Sequence, residues 1–409
     1  MLNKDSKPEI RISGFDDAWK QCKLSEIATF SKGRGYSKGD LKDTGTPIIL
    51  YGRLYTRYQT RISEVDTYVD ALDGSVYSEG DEVIIPASGE TAEDIAIASS
   101  IENKGILLGG DLNIVKPNID VLPAFLASVI TYGNAHVELA KKAQGKTVVH
   151  LHNEDLKDIT ISYPNNNEQQ EICDYFSNLD TTITLHQREL DRLVCLRKAM
   201  VDKMFPQGGE NVPTVRFSGF SNAWELRTFS EIFTERHVID TISDEYPQLS
   251  FTIEEGIIRP EDRKTNKRDF LILDKANKKY LKTEVDDIIY NPANVIYGAI
   301  HRNGLCKGCV SPIYKIFYTD QDSAFMECIV RHPRFIKEIS KSMEGTVKKL
   351  RTLKPKAFLE MSAYIAPTIE EQKQISEYFR QIDRLIEIEK EELEKVKHIK
   401  SACLEKMFV

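Results

Sequence analysis

A chain of 409 residues, 41% apolar and 29% charged, is long enough for two or three domains and has the make-up of a soluble globular protein. No stretch reaches the roughly 18 apolar residues of a membrane span, MLNKDSKPEI at the N-terminus lacks a signal-peptide core, and seven scattered cysteines do not suit a disulfide scaffold, so a cytoplasmic chain with reduced thiols and no membrane partner is expected. The net charge of −8 would exclude nucleic acid only if it were spread evenly, and it is not.

The first element, PEIRISGFDDAWKQCKLSEI (Pro8 to Ile27), returns as PTVRFSGFSNAWELRTFSEI (Pro213 to Ile232) with ten identities in twenty ungapped positions. A repeat decides the architecture before any local reading. Next, SKGRGYSKG (Ser31 to Gly39) offers glycines for close backbone approach, with Arg34 and Lys38 as spare charges. TPIILYGRLYTRYQTR (Thr46 to Arg61) alternates as a strand would, turning Tyr51, Arg53, Tyr55 and Arg57 to one face, which suits phosphate contact and stacking. Tyr also favours half-exposed strands without any ligand. AKKAQGKTVVHLH then clusters Lys141, Lys142 and Lys146 with His150 and His152 before an exit strand ending at Pro164.

Glu168 to Phe205 is helical by periodicity and aligns without a gap with Glu371 to Phe408. Ile172, Leu179, His186, Leu193 and Met200 form one heptad seam, and Phe176, Ile183, Leu190, Arg197 and Met204 the other. The second copy has Ile375, Ile382, Glu389, Val396 and Cys403, with Phe379, Ile386, Leu393, Lys400 and Met407. A parallel pairing would oppose Arg197 and Lys400. An antiparallel register centred on Leu193 and Leu393 instead sets Arg197 against Glu389, Met200 against Ile386, Leu179 against Met407, and His186 near Lys400. The alternative is that each stripe packs only on its own module. Acids dominate Glu370 to Glu394, which places much of the negative charge on the outer face of a rod.

MFPQGGENVP joins the halves as a short linker, and the second module follows. Its interior agrees only faintly with the first, as in VDDIIYNPA against GDEVIIPAS. RPEDRKTNKRDF supplies Arg259, Arg263, Lys264, Lys267 and Arg268, GAIHRNG supplies His301 and Arg302, and SMEGTVKKLRTLKPK supplies Lys348, Lys349, Arg351 and Lys354. Charge runs are usually solvated faces. A basic, glycine-led run before the exit strand of both modules favours a shared polyanion contact.

Catalysis finds little support. NPANVIYG at Asn291 departs from the Asn-Pro-Pro-aromatic loop of adenine methyltransferases at Ala293 and Asn294, no strand-to-helix glycine loop offers a nucleoside cofactor site, and the stretch reads as a turn. Cys306, Cys309, Cys328 and His332 have a spacing that could ligate zinc, yet Cys309 opens an apolar strand and the first module has no equivalent; no metal site is expected.

Together, SGFDDAW and SGFSNAW, GTPIILYGRLYTRY, GDEVIIPASGET, GGDLNIVKP, DDIIYNPANVIYGAIHRNGLCKGCVSPIY and the EQ..I..YF..ID helix openings resemble the specificity subunit of type I DNA restriction-modification systems over nearly the whole chain. That resemblance implies an α+β fold: two mixed α/β target-recognition modules separated by two long helices in an antiparallel coiled coil, with an internal pseudo-two-fold from tandem duplication. The expected bounds are 1–166 and 213–369 for the recognition domains, 167–206 and 370–409 for the helices, and 207–212 for the linker. The coil would use Leu179, Ile183, Leu190, Leu193, Arg197, Met200, Ile386, Glu389, Leu393, Val396 and Lys400. Each module would read half of an interrupted double-stranded DNA site, and a helix of about 37 residues, some 55 Å long, would space them by more than a turn of B-DNA. The chain itself would hold no cofactor and catalyse nothing. S-adenosylmethionine, ATP and Mg would belong to partners: methyltransferase subunits, two per chain, and restriction subunits. A free-standing bipartite regulator, or a methyltransferase or nuclease in its own right, are the alternatives.

Overall fold

The computed structural model describes residues 7–143, 145, 148–263, 278–343 and 351–408. Contacts divide the chain into one unit of residues 1–188 and 390–409 and another of residues 189–389. Among the described residues no helix is long and apolar enough to cross a membrane.

In the first unit the repeated leading segment contains strand Lys20–Lys23, which pairs antiparallel with exit strand Thr160–Tyr163. Between them lies a five-stranded sheet in the order Ala28–Lys32, Leu112–Pro117, Val83–Pro86, Ser99–Ile101, Arg61–Ile62. Val83, Ile84 and Ile85 are all fully buried, because the strand is covered on both faces: Val83 and Ile85 meet helix Pro123–Tyr132 and the long helix, and Ile84 meets Ile49, Leu54 and Ile62. The continuous apolar run VIIP follows from that position.

The second unit repeats the frame with a different filling. Glu225–Thr228 pairs with exit strand Ser362–Ile365, and a four-stranded sheet runs Phe233–Glu235, Lys315–Thr319, Ile288–Tyr290, Ile300–Arg302. An added layer of strands Ile239–Asp240, Tyr280–Thr283 and Gly308–Val310 encloses its own core with Leu249, Phe251 and Ile257. The faint agreement of GDEVIIPAS with VDDIIYNPA has a physical basis. Buried Glu82 accepts the backbone N–H groups of Gly80 (2.9 Å) and Asp81 (3.1 Å), and buried Asp287 accepts that of Glu284 (2.7 Å), each carboxylate closing the turn ahead of the central strand.

Two long helices, Asn166–Lys203 and Ile369–Met407, supply both units. In the first unit Asp180 pairs with Lys400 and Phe176 stacks on Phe408 (5.6 Å between centroids). In the second, Leu193 packs with Ile382 and Ile386, Arg197 chelates Asp383, and Phe205 stacks on Phe379 (6.0 Å). Both sets run antiparallel, as a coiled coil. The register differs from expectation: Arg197 takes Asp383 where Glu389 was expected, and Lys400 takes Asp180 where His186 was expected nearby. A heptad pattern repeats every seven residues and so leaves the offset open; ion pairs and the aromatic ends choose it.

The alternating reading of Thr46 to Arg61 is also corrected. Only Thr46–Ile49 and Arg61–Ile62 are strands, and Tyr51–Thr56 is a helix. Ile48 and Ile49 are both fully buried, so no outer face exists there; the chain then turns helical, burying Leu54 and tying Arg53 to Asp66 (2.8 Å).

Candidate nucleic-acid interface

The frame fixes where each sheet ends. Glu168, fully buried, accepts Arg11 Nε (2.6 Å) and Nη2 (2.7 Å) and Trp19 Nε1 (3.3 Å), clamping the leading segment to the helix start. Glu371 does the same for Arg216 (2.6 and 2.8 Å) and Trp224 (3.2 Å). The following glutamines hold the helix packed behind the sheet: the side chain of Gln169 accepts Leu122 N (2.8 Å) and that of Gln372 accepts Asp322 N (2.9 Å). Backbone bonds Ile10 N to Lys406 O (3.1 Å) and Val215 N to Lys203 O (2.9 Å) tie each leading segment to a long helix's last turn.

In the first unit one end of the five-stranded sheet gathers five chain segments. Gly33 N bonds Leu112 O (2.9 Å), Arg34 N bonds Leu108 O (3.0 Å), and Gly110 N bonds Gly35 O (2.6 Å). A Cβ on Gly33 would lie 1.9 Å from Gly109 O, so the glycines serve backbone approach within the protein. Tyr55 Oη donates to Ser88 O (2.7 Å), Ser88 Oγ meets His150 Nδ1 (3.2 Å), His150 stacks parallel on His152 (6.4 Å), and Asn153 donates to Ser31 O (3.0 Å). The expected residues Tyr51, Tyr55 and His150 thus come together, with Tyr51 edge-on to Tyr55 (6.2 Å), while Arg34 joins this end by its backbone and sends its guanidinium beside Gly74. Burial pushes the Tyr55 hydroxyl up, so it stays a neutral donor.

Other expected residues are placed differently. Arg53, with its side chain 8% exposed, spends itself on Asp66, Gln59 (2.9 Å) and Glu64 O (3.1 Å) and holds the loop from within, whereas Arg57 shares Asp66 (2.5 Å) from the surface with its side chain 60% exposed. Lys38 opens an exposed 3-10 turn, Lys141 is exposed at the end of helix Asn134–Lys142, and Lys142 pairs with Asp158 (3.7 Å). Lys146 lies outside the described residues.

At the corresponding end of the second sheet, Tyr314 stands where Asn291 begins the loop after the central strand, and the exit segment follows it through Leu353 N to Pro292 O (3.0 Å). Leu151 N to Ala87 O (3.1 Å) is the equivalent bond of the first unit. Arg263 lies close enough to Tyr314 to lower its pKa against the larger upward push of burial. Arg259, Arg351 and Lys354 are exposed. His301 is a correction: it is 3% exposed, its Nε2 donates to Ile253 O (2.7 Å), its Nδ1 lies 3.5 Å from Glu327, and Phe251 covers the ring (5.6 Å). Placed on an inward-facing strand position, it supports the sheet and is not part of the outer surface. Arg302 is likewise engaged, with Asp286 (2.8 Å) and Glu327 (3.7 Å). Lys264, Lys267, Arg268, Lys348 and Lys349 lie outside the described residues. The loop from Asn291 to Gly298 presents Asn294 and Tyr297, which no charge or repeat signal marked; only the turn spelling NPAN with Gly298 pointed there.

Among the described residues, only Glu79, Asp81 and Glu82 could together hold a metal ion by position, and Lys116 already bridges the first two while Glu82 caps backbone N–H groups. The candidate zinc residues are spread out: Cys309 lies in a strand, Cys328 on helix Ser323–Val330, and His332 caps helix Pro333–Ser342.

Comparisons give this architecture its relatives. Residues 16–194 match the family described as the type I restriction modification DNA specificity domain. The type I restriction enzyme MjaVIII specificity subunit of Methanocaldococcus jannaschii is 26% identical over 278 residues, 63% of this chain; the chain spans 64% of that relative's length. The crystal structure of the type I restriction-modification S subunit from M. genitalium shares the fold, with a TM-score of 0.59, 16% identity, and coverage of 98% of this chain and 99% of that one.

Proposed function

We infer that the chain belongs to the type I restriction-modification DNA specificity family, whose model its residues 16–194 match, and from that premise we propose that it is the DNA-reading subunit of a methyltransferase and restriction complex. The observation that carries this reading is the contrast within a duplicated chain: one frame, built twice from Arg, Trp and Glu, holds two sheet ends that differ from each other. Two different ends on equal supports suit two different half-sites in one interrupted DNA sequence.

In the first module, Arg34, Lys38, Tyr51, Tyr55, Lys141, Lys142, Lys146 and His150 serve this contact. In the second, Arg259, Arg263, Lys264, Lys267, Arg268, Lys348, Lys349, Arg351 and Lys354 do. Cationic side chains track phosphate and the aromatic and imidazole groups reach base edges. Arg53, His301 and Arg302 position these surfaces from within, and the exposed Arg57 beside Asp66 joins the contact of the first module. The paired helices act as spacer and as docking rod for two methyltransferase subunits, for which the exposed Leu185, Val194, Leu385 and Ile388 offer apolar contact. Chemistry belongs to the partners, with S-adenosylmethionine for adenine methylation and ATP and Mg for restriction, in the cytoplasm. Expression with the methyltransferase subunit, followed by sequencing of methylated adenines across a host genome, tests the reading. An interrupted, asymmetric motif is the expected result; an active complex that leaves no such motif overturns it.

A further inference from the structure

NPANVIYG forms a turn, and the turn is built to hold something out. Tyr297 is 69% exposed, among the most exposed aromatic side chains described, yet its backbone is fixed on every side. Asn291 Oδ1 accepts Ala293 N (3.0 Å) and Asn294 N (3.3 Å), Tyr297 N bonds Asn294 O (2.9 Å), and Gly298, at φ 88, returns its N–H to Val295 O (3.0 Å) and leads the chain back into the sheet. Val295 anchors the 3-10 turn in the core with no exposure at all. An unconstrained loop would let so large an aromatic fold back onto the surface; this one holds it out, and a preorganised side chain loses little freedom on binding.

Asn294 is three residues before Tyr297, and in a 3-10 turn side chains at that spacing stand above one another. Its side-chain amide is exposed and has no hydrogen-bond partner among the described residues. The turn therefore offers a planar ring and an amide on one side, with the exposed bases Arg351 and Lys354 on either side of Leu353, whose N–H is bonded to Pro292 O at the foot of the same turn. We propose that Asn294 and Tyr297 are specificity-determining residues of the second module, the amide reading a base edge and the ring packing on a base or methyl face beside it. Asn can bond adenine N6 and N7 together, and an aromatic ring makes apolar contact with thymine methyl. Phosphate contact by the neighbouring bases would fix the register. The inference rests on the DNA-reading role proposed above.

The test is the methylome of the chain expressed with its methyltransferase subunit. Asn294→Ala and Tyr297→Ala should relax discrimination about tenfold or more at positions confined to one half-site, while the other half keeps its consensus. Leu226→Ser, an equally exposed change on the frame strand, should leave the motif intact. Complete loss of methylation by Tyr297→Ala supports the inference if Tyr297→Phe restores it and the melting temperature is unchanged; the same loss with a lowered melting temperature overturns it, because the residue is then structural. An unchanged motif and rate in both alanine variants also overturns it and leaves the DNA-reading role standing. A wild-type complex that marks no interrupted motif overturns both.

Discussion

At the helix starts the two units are the same device: a buried glutamate chelates an arginine and takes an indole N–H, at distances that agree within 0.1 Å (2.6, 2.7 and 3.3 Å against 2.6, 2.8 and 3.2 Å). At the sheet ends they are different objects. The first end is a five-segment knot of glycine backbones with tyrosines and stacked histidines; the second is a hairpin turn with an outward Tyr297. The leading segment and helix start are tied by buried charge, where any change is costly. The sheet ends are tied mostly by backbone hydrogen bonds, which tolerate many side chains and leave them free to be chosen by a ligand.

Breaking the shared device gives the largest expected effect. Glu168→Ala leaves Arg11 and Trp19 donors buried without an acceptor, and Glu371→Ala does the same to Arg216 and Trp224. Removing one partner of a buried ion pair costs about 3–5 kcal/mol. Hydrogen exchange resolved along the chain should lose protection within residues 1–188 for the first variant and within 189–389 for the second. Equal loss in both regions from either variant would show that the clamps do not act unit by unit.

A smaller change sharpens the difference between the sheet ends. Gly33→Ala forces a methyl group to 1.9 Å from Gly109 O, and both partners are backbone, so the strand end must shift. Overpacking of this kind costs about 1–3 kcal/mol. At the same offset the second unit carries Val238, 47% exposed, so no such approach is required there. Thermal melting of Gly33→Ala against Val238→Ala should show a clear loss for the first and almost none for the second. The Gly33 variant should also weaken reading of one half-site while the other is kept.

How much of this was legible in the sequence follows from what kind of force fixes each part. The repeat, the long helices and their antiparallel sense could be read, because periodicity and charge exclusion are carried by the residues themselves: Arg197 and Lys400 each take an aspartate within their own unit. Their register could not, because Glu389 and Asp383 are equally acidic and only packing at Phe205 and Phe408 separates them. Strand alternation misled at Tyr51 to Thr56, where Arg53 has a tertiary partner thirteen residues on at Asp66. Likewise His301 looked like a basic loop residue beside Arg302, but neighbours on a strand point opposite ways, and the one facing in was the histidine. Of the site, the first sheet end was partly visible through Arg34, Tyr51, Tyr55 and His150. Tyr297 was not, because exposure on a rigid turn has no spelling of its own.

The smallest effect separates the units by pH. The helix that follows the one packed behind each sheet, Asn134–Lys142 or Pro333–Ser342, has Gly133 as its N-cap in the first unit and His332 in the second. His332 Nδ1 accepts Arg334 N (3.1 Å), while Nε2 meets Val201 O (3.3 Å) and must donate to it. A second proton would turn the accepting nitrogen into a donor facing another N–H. Burial, the largest cause, and the nearby Arg334 both push the imidazole pKa below its usual 6.5, against the bond to Val201. The unfolded chain therefore binds the proton more readily than the folded one, so this contribution to stability is complete above 6.5 and is lost as pH falls through the lower folded value. Such a cap is worth about 1 kcal/mol. Between pH 7 and 5, above the range of ordinary carboxylates, exchange protection should decline in residues 189–389 more than in 1–188. His332→Asn keeps a capping oxygen that does not titrate, and should remove the difference; persistence of the slope in that variant would move its origin to another group.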